Sequence, residues 1–174
     1  MKIFGVAKSS DQACFEALLR DHRRIILKVV SGFAWQPDDQ QDLAQEIRVQ
    51  LWRAFPKYDS KRTFSTWMYQ VALNTAISWS RQAKLHKLRF AEVELLNEIP
   101  ANPQPEDDDS HLLYKLIEVL DELSRALLLL TIDDRSHIEI GEILGISPGN
   151  VATKISRLKA KLRLEVASTN LTEK

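Results

Sequence analysis

Cysteine, glycine and proline are scarce in this chain of 174 residues, with one, five and six of each, and no apolar run reaches about eighteen residues. A single thiol, Cys14, excludes an internal disulfide, and its setting predicts a small buried residue on a first helix rather than a reactive group. The missing apolar run argues against a membrane-spanning helix. The first residues also lack the charged, apolar and small-residue order of a signal peptide, so a cytoplasmic protein with no membrane insertion is expected. Strand alternation and internal repeats are missing too. The four histidines, His22, His86, His111 and His137, are scattered, no glycine-rich phosphate loop appears, and no nucleophile stands beside a base. No catalytic residue, metal or cofactor is therefore expected, and the chain does not read as an enzyme.

What is present is a composition of 44% apolar and 28% charged residues, that of a globular protein with a real core. The formal net charge of zero hides a segregation by position. From Lys61 to Arg89, six bases (Lys61, Arg62, Arg81, Lys84, Lys87, Arg89) occur without an acid, and Lys154, Arg157, Lys159, Lys161 and Arg163 form a second basic run. Two surfaces can thus meet phosphates. Between them, Phe90 to Ser110 carries seven acids and no base, with Pro100, Pro103 and Pro105 in its second half. Such a stretch lacks the apolar residues to fold alone and repels DNA, so it reads as an acidic flexible linker.

Helical periodicity dominates the rest. Phe15, Leu18, Leu19, His22, Ile25, Ile26, Val29 and Phe33 predict one long first helix, followed by a break over Gly32 to Pro37. Asp38 is the expected cap of a second helix, with Gln41 as its reciprocal partner, and Leu43, Ile47, Leu51 and Phe55 are its buried face up to Pro56. A third helix is expected from about Thr63 to Leu85, with Phe64, Trp67, Met68, Val71, Thr75 and Trp79 along one side. The pattern resumes at His111 and ends in two short helices around Gly145. The fold class predicted is all-α: two small helical domains, 1–90 and 112–174, joined by the linker 91–111, the second domain holding a helix-turn-helix.

Three constellations carry function. Ser136 to Lys161 has the helix-turn-helix pattern: Gly145 closes one helix in a left-handed conformation, Ser147 caps the next, and Pro148 takes the first helical position. With Val151, Ile155, Leu158 and Leu162 buried, Asn150, Thr153, Lys154 and Arg157 face solvent at the end that enters the major groove in such motifs. Asn150 and Arg157 suit bidentate base contacts, whereas Lys159, Lys161 and Arg163 suit phosphates. On the second helix, Asp42, Gln45 and Glu46 are spaced to share one face after Asp38 and Asp39, and can meet a basic partner. Lastly, Tyr58, Lys61, Arg62, Phe64, Trp67, Tyr69 and Trp79 mix aromatic faces, which stack on unpaired bases, with cations that hold a backbone. Phe64 and Trp67 also lie on the buried stripe of the third helix, so a core role is open for both.

The stretches Asp39 to Glu46, Leu51 to Asp59 and Phe64 to Asn74 resemble conserved region two of the extracytoplasmic-function (ECF) sigma factors, and Glu139 to Val151 resembles their conserved region four. The resemblance implies an alternative sigma factor that binds RNA polymerase core and directs it to promoter DNA. It assigns Asp39, Asp42, Gln45 and Glu46 to the clamp helices of the largest polymerase subunit. It assigns Tyr58, Lys61, Arg62, Phe64, Trp67 and Asn74 to reading and melting the minus-ten element. Ser147, Asn150, Thr153, Lys154, Arg157 and Lys161 are assigned to the minus-thirty-five element, and the linker to the polymerase channels. An anti-sigma factor or a regulatory kinase is the further partner implied, with Thr63, Ser65 and Thr66 beside the melting loop. The chain departs from the pattern at Gln41, Gly141, Asn150 and Ala152, and its stretch from Leu123 to Arg135 is shorter than the family's and lacks a proline-containing turn. The competing reading is a stand-alone helix-turn-helix regulator that binds duplex DNA as a symmetric dimer.

Overall fold

The computed structural model describes residues 9–91, 117 and 120–172, and every regular element among them is helical. The first half contains α1 (Ser9–Asp21), α2 (Arg23–Phe33), α3 (Pro37–Ala54) and α4 (Phe64–Ala91), with a 3-10 turn over Phe55–Lys57. The second contains α5 (Glu122–Ile132), α6 (His137–Leu144) and α7 (Pro148–Thr172). The expected linker and the first residues of the pattern that resumes at His111 fall almost wholly outside the described residues.

The apolar stripe from Phe15 to Phe33 is split into two helices. At His22 the backbone leaves helical geometry (φ −104°, ψ 13°), and Ile25 N–H turns back to the His22 carbonyl at 2.9 Å. The His22 ring lies 5.2 Å from that of Phe64, so the bend places it against the third-helix core. Cys14, expected buried, is exposed: it falls on the outer side of α1, whereas Phe15 turns inward.

Pro37, with its fixed φ, opens α3 at the first helical position, and Gln36 precedes it in extended conformation. Asp38 therefore sits inside the first turn and does not cap the helix, nor does Gln41 act as a reciprocal partner. Asp38 and Asp39 instead lie where the partial positive charge of a helix start favours carboxylates. Leu43, Ile47 and Leu51 are fully buried, as their spacing requires, while Phe55 is only half-buried in the 3-10 turn.

α4 is longer than its periodicity suggests and packs along both α2 and α3, with Met68, Tyr69, Ala72, Leu73 and Ala76 buried. In the second half α7 packs on α5 and α6, and at 25 residues it is far longer than the short helix expected. The halves also meet each other: α5 lies on α2 and α4, and α6 on α4. One continuous apolar cluster runs from Phe15 to Leu158 through both. Where α2 packs on α5, a Cβ added to Gly32 would stand 3.1 Å from Leu129 Cδ1, so glycine eases that contact.

Candidate functional site

Asp42, Gln45 and Glu46 do share a face of α3, because residues three and four apart stack on a helix. They line one wall of a groove of about 740 Å³, and α4 supplies the other with Asn74, Ser78 and Gln82. Gln50 Nε2 donates to Glu46 Oε1 at 2.7 Å and orients that carboxylate. Among the described residues, Asp42 and Glu46 form no ion pair, so the groove presents uncompensated negative charge among amides. Asp39, half-buried one turn earlier, is not among the lining residues. Asn74, grouped by resemblance with the minus-ten residues, is exposed on the groove wall opposite the acids.

The aromatic residues between α3 and α4 form a packed cluster. Tyr58 stands edge-on to Phe64 (5.5 Å) and 5.0 Å from Trp67, with Phe64 and Trp67 5.2 Å apart. Phe64 and Trp67 are 6% and 8% exposed, which leaves them too little free face to stack on a base in this conformation. They are the floor on which the loop rests. Tyr58 OH donates to the Arg62 carbonyl at 2.7 Å, and Lys61 N–H donates to Asp59 Oδ1 at 3.0 Å. The loop is thereby shaped, with Lys61 and Arg62 exposed at its surface. Thr63 and Thr66 hydroxyls bond each other at 2.8 Å, and Thr66 is buried. Tyr69 belongs to a different surface altogether: its ring is fully buried on the side of α4 that faces the second half.

The helix-turn-helix is built as its sequence demands. Ser136 and Glu139 form a capping box at the start of α6, which holds the Glu139 carboxyl below its ordinary 4.5, chiefly through the backbone N–H and hydroxyl of Ser136. Gly145 ends α6 at φ 69°, and Ser147 Oγ accepts from Asn150 N–H at 3.3 Å. Gly141 is also dictated by space: a Cβ there would fall 2.7 Å from the Ile146 carbonyl oxygen, inside the turn. Val151, Ile155 and Leu158 are buried, so Asn150, Thr153 and Arg157 are exposed on the opposite side of α7, with Lys154 half-exposed between. Thr153 Oγ1 donates to the Gly149 carbonyl at 3.0 Å.

Sequence reasoning missed the contacts that join the halves. Asp133, in the turn after α5, accepts from Lys28 Nζ of α2 through one oxygen and from Tyr69 OH of α4 at 2.8 Å through the other. Arg135 lies over the Tyr69 ring at 5.2 Å, and its Nη1 reaches Ser65 Oγ at 3.4 Å and Glu139 Oε1 at 3.2 Å. Burial raises the Tyr69 pKa, and the nearby Arg135 charge opposes that shift. Lys84 adds a further bridge to Glu122, 2.6 Å away. Arg125, buried, donates from Nε to the carbonyls of Ile117 and Leu120 and stacks over Trp35 at 5.8 Å. Among the described residues no cluster of three metal-ligating side chains occurs, and no helix is long and apolar enough to cross a membrane.

The sigma-70 region 2 family profile matches residues 18–85, and the sigma-70 region 4 profile matches residues 110–162. The chain is 29% identical over 172 residues to the ECF RNA polymerase sigma factor SigW of Bacillus subtilis, covering 91% of this chain and 92% of the relative. It is 27% identical over 174 residues to the RNA polymerase sigma factor NccH of Alcaligenes xylosoxydans xylosoxydans, covering 95% and 93%. Among solved structures, CnrH in complex with the cytosolic domain of CnrY superposes with a TM-score of 0.65 at 23% identity, over 90% of each chain. The sigma factor RpoE bound to the anti-sigma factor NepR, from Bartonella quintana, superposes with a TM-score of 0.61 at 14% identity, over 90% of this chain and 96% of that one.

Proposed function

Because this chain belongs to the ECF sigma factors, and is an alternative sigma factor for promoter recognition by RNA polymerase and not an enzyme, we propose a division of that task among three of its surfaces. The groove of Asp42, Gln45 and Glu46, with Asp39 at its approach, docks on the clamp helices of the largest polymerase subunit. Its unpaired carboxylates would pair there with basic groups. Residues 1–90 form the unit that carries this groove and the melting loop. Tyr58, Lys61 and Arg62 hold the minus-ten strand from the surface, and Phe64 and Trp67 support them from below. Asn74, on the groove wall, serves the polymerase contact as well as the DNA.

Residues 112–174 form the minus-thirty-five reader. The observation that carries this reading is the leading end of α7, where Asn150, Thr153 and Arg157 are exposed directly opposite a buried apolar stripe, behind a turn closed by Gly145 and capped by Ser147. Such a helix offers base-reading side chains to a major groove while its back is held by α5 and α6. The acidic stretch 91–111 occupies polymerase channels made for nucleic acid. An anti-sigma factor is the regulatory partner proposed, on the strength of the complexes in which both solved neighbours occur.

Reconstitution with purified polymerase core tests the assignment. Reversal of Asp42 and Glu46 to lysine should abolish high-affinity core binding and promoter-directed transcripts while circular dichroism stays unchanged. Full core affinity in the folded double variant would remove the groove from the interface. Tight binding of the free protein to a palindromic duplex as a symmetric dimer would instead favour the stand-alone regulator.

A further inference from the structure

We propose that Trp79 is the aromatic wall of the groove that holds Asp42 and Glu46, and that the group received there is a guanidinium of the partner, laid flat on the indole while its N–H donors reach the two carboxylates. The identity of the partner rests on the docking reading above, whereas the preference for a planar cation belongs to the groove itself.

Trp79 stands apart from the aromatic cluster with which its sequence context groups it. Trp67 precedes it on α4 by more than three turns, about 18 Å of helix. Tyr58, Phe64 and Trp67 contact one another, but among the described residues no ring and no cation contacts the Trp79 indole. Its place is set by the spacing of α4, which brings Thr75, Ser78, Trp79 and Gln82 to one face, opposite the acids of α3. The ring is half-buried, packed in part against the apolar core and open in part to the groove. It is thus held by the fold and still available to a partner.

The lining selects what can enter. Two carboxylates, several amides and one indole line the groove, and no lysine, arginine or histidine does. Gln50 holds Glu46 through Oε1, which leaves Oε2 for a second donor. Covering these carboxylates with an apolar or acidic surface would strand their charge, so the occupant must bring a positive one. Trp79 narrows the choice further. Tryptophan is the best aromatic partner for a cation, and a guanidinium can stack on it while its in-plane N–H groups still bond carboxylates. An ammonium is compact and strongly hydrated, with three donors and no flat face, so it gains less from the same walls. A nucleobase could also stack here, but it would carry its phosphate towards two uncompensated carboxylates. The base-stacking role expected for Trp79 is therefore disfavoured at this position.

Two measurements on the full-length protein test the proposal. In the first, the protein is labelled with fluorotryptophan, and the Trp79 signal is identified among its four tryptophans by its loss in Trp79→Phe. Methylguanidinium or methylammonium chloride is then added at matched ionic strength. Methylguanidinium should move the Trp79 fluorine resonance further than methylammonium does, and further than it moves the remaining tryptophans. The double variant Asp42→Asn, Glu46→Gln should lose that difference. Equal shifts from the two cations, or at every tryptophan, would overturn the planar-cation preference.

In the second, affinity for polymerase core is titrated. Trp79→Leu keeps apolar volume against the core and removes the ring, and it should weaken binding about three- to thirty-fold while circular dichroism matches wild type. Trp79→Phe, which keeps a ring, should recover most of that loss. Combining Trp79→Leu with Glu46→Gln should lose less than the product of the two separate losses, because one guanidinium engages both residues. Full core affinity in the folded leucine variant sinks the proposal, and so does a change confined to minus-ten base preference, which would return Trp79 to DNA. Should the leucine variant not fold, the fluorine measurement decides alone. The docking reading fails separately, if reversal of Asp42 and Glu46 leaves core affinity intact.

Discussion

Arg157 and Lys161 are both basic and both exposed on α7, yet they should fail differently when truncated. Arg157 lies in the leading turns beside Asn150 and Thr153, where the proposed reading brings a guanidinium to base edges. Arg157→Ala should relax preference at one minus-thirty-five position and cost about 1–3 kcal/mol of discrimination. Lys161 lies one turn further along, where the proposed reading brings its ammonium to phosphate. Lys161→Ala should weaken all promoters alike and reduce the salt slope by about one. Affinity measured across base-substituted duplexes at several salt concentrations separates the two. Gly141 is a residue whose reason appears only in three dimensions: alanine is usual at its place in the family pattern, but a methyl group here would press on the Ile146 carbonyl. Gly141→Ala should destabilise the protein by about 1–3 kcal/mol, read from denaturant midpoints, because the obstacle is backbone inside a tight turn.

At the scale of elements, α6 holds its start by the Ser136 and Glu139 box. Glu139 titrates below its ordinary 4.5, so the box contributes fully above that value and its contribution is lost as the pH falls through the lowered one. Ser136→Ala should cost about 1 kcal/mol at neutral pH, and less once Glu139 is protonated, which thermal melts across that acid range would register. The loop before α4, proposed to melt the minus-ten element, and the helix beneath it should also separate. Lys61 and Arg62 are exposed on a loop shaped by Tyr58 and Asp59, so replacing both by alanine should impair promoter opening, seen in permanganate footprints, more than initial binding. Trp67→Ala should act first on the fold, at about 3–5 kcal/mol, because Trp67 is floor and not surface. Features fixed by near neighbours were the legible ones. Gly145, Ser147 and Pro148 announce their turn within four residues, and Asp42, Gln45 and Glu46 announce their face within five. The helix break at His22 leaves no mark in the sequence because periodicity continues across it, and Asp38 is not the cap because Pro37 pre-empts the first helical position.

For the whole molecule, the order of two motifs disclosed the family, but nothing in the sequence disclosed that the halves touch. Tyr69 and Asp133 are 64 residues apart, and Lys28 and Asp133 are 105 apart, with an acidic stretch between that suggests separation. Tyr69 read as a base-stacking candidate for the same reason: a tyrosine among bases and aromatics gives no local sign that a carboxylate from another region will claim its hydroxyl. The shared core has a thermal consequence. Since Val29, Leu73, Leu127 and Ile140 belong to one apolar cluster, neither half can melt without exposing the face of the other. Scanning calorimetry of the free protein should therefore record a single cooperative endotherm whose calorimetric and van't Hoff enthalpies agree, as for one folding unit. If the halves were parted, the same chain would lose that mutual protection. Its two parts would then melt independently, each with the smaller heat capacity change of a lesser buried surface.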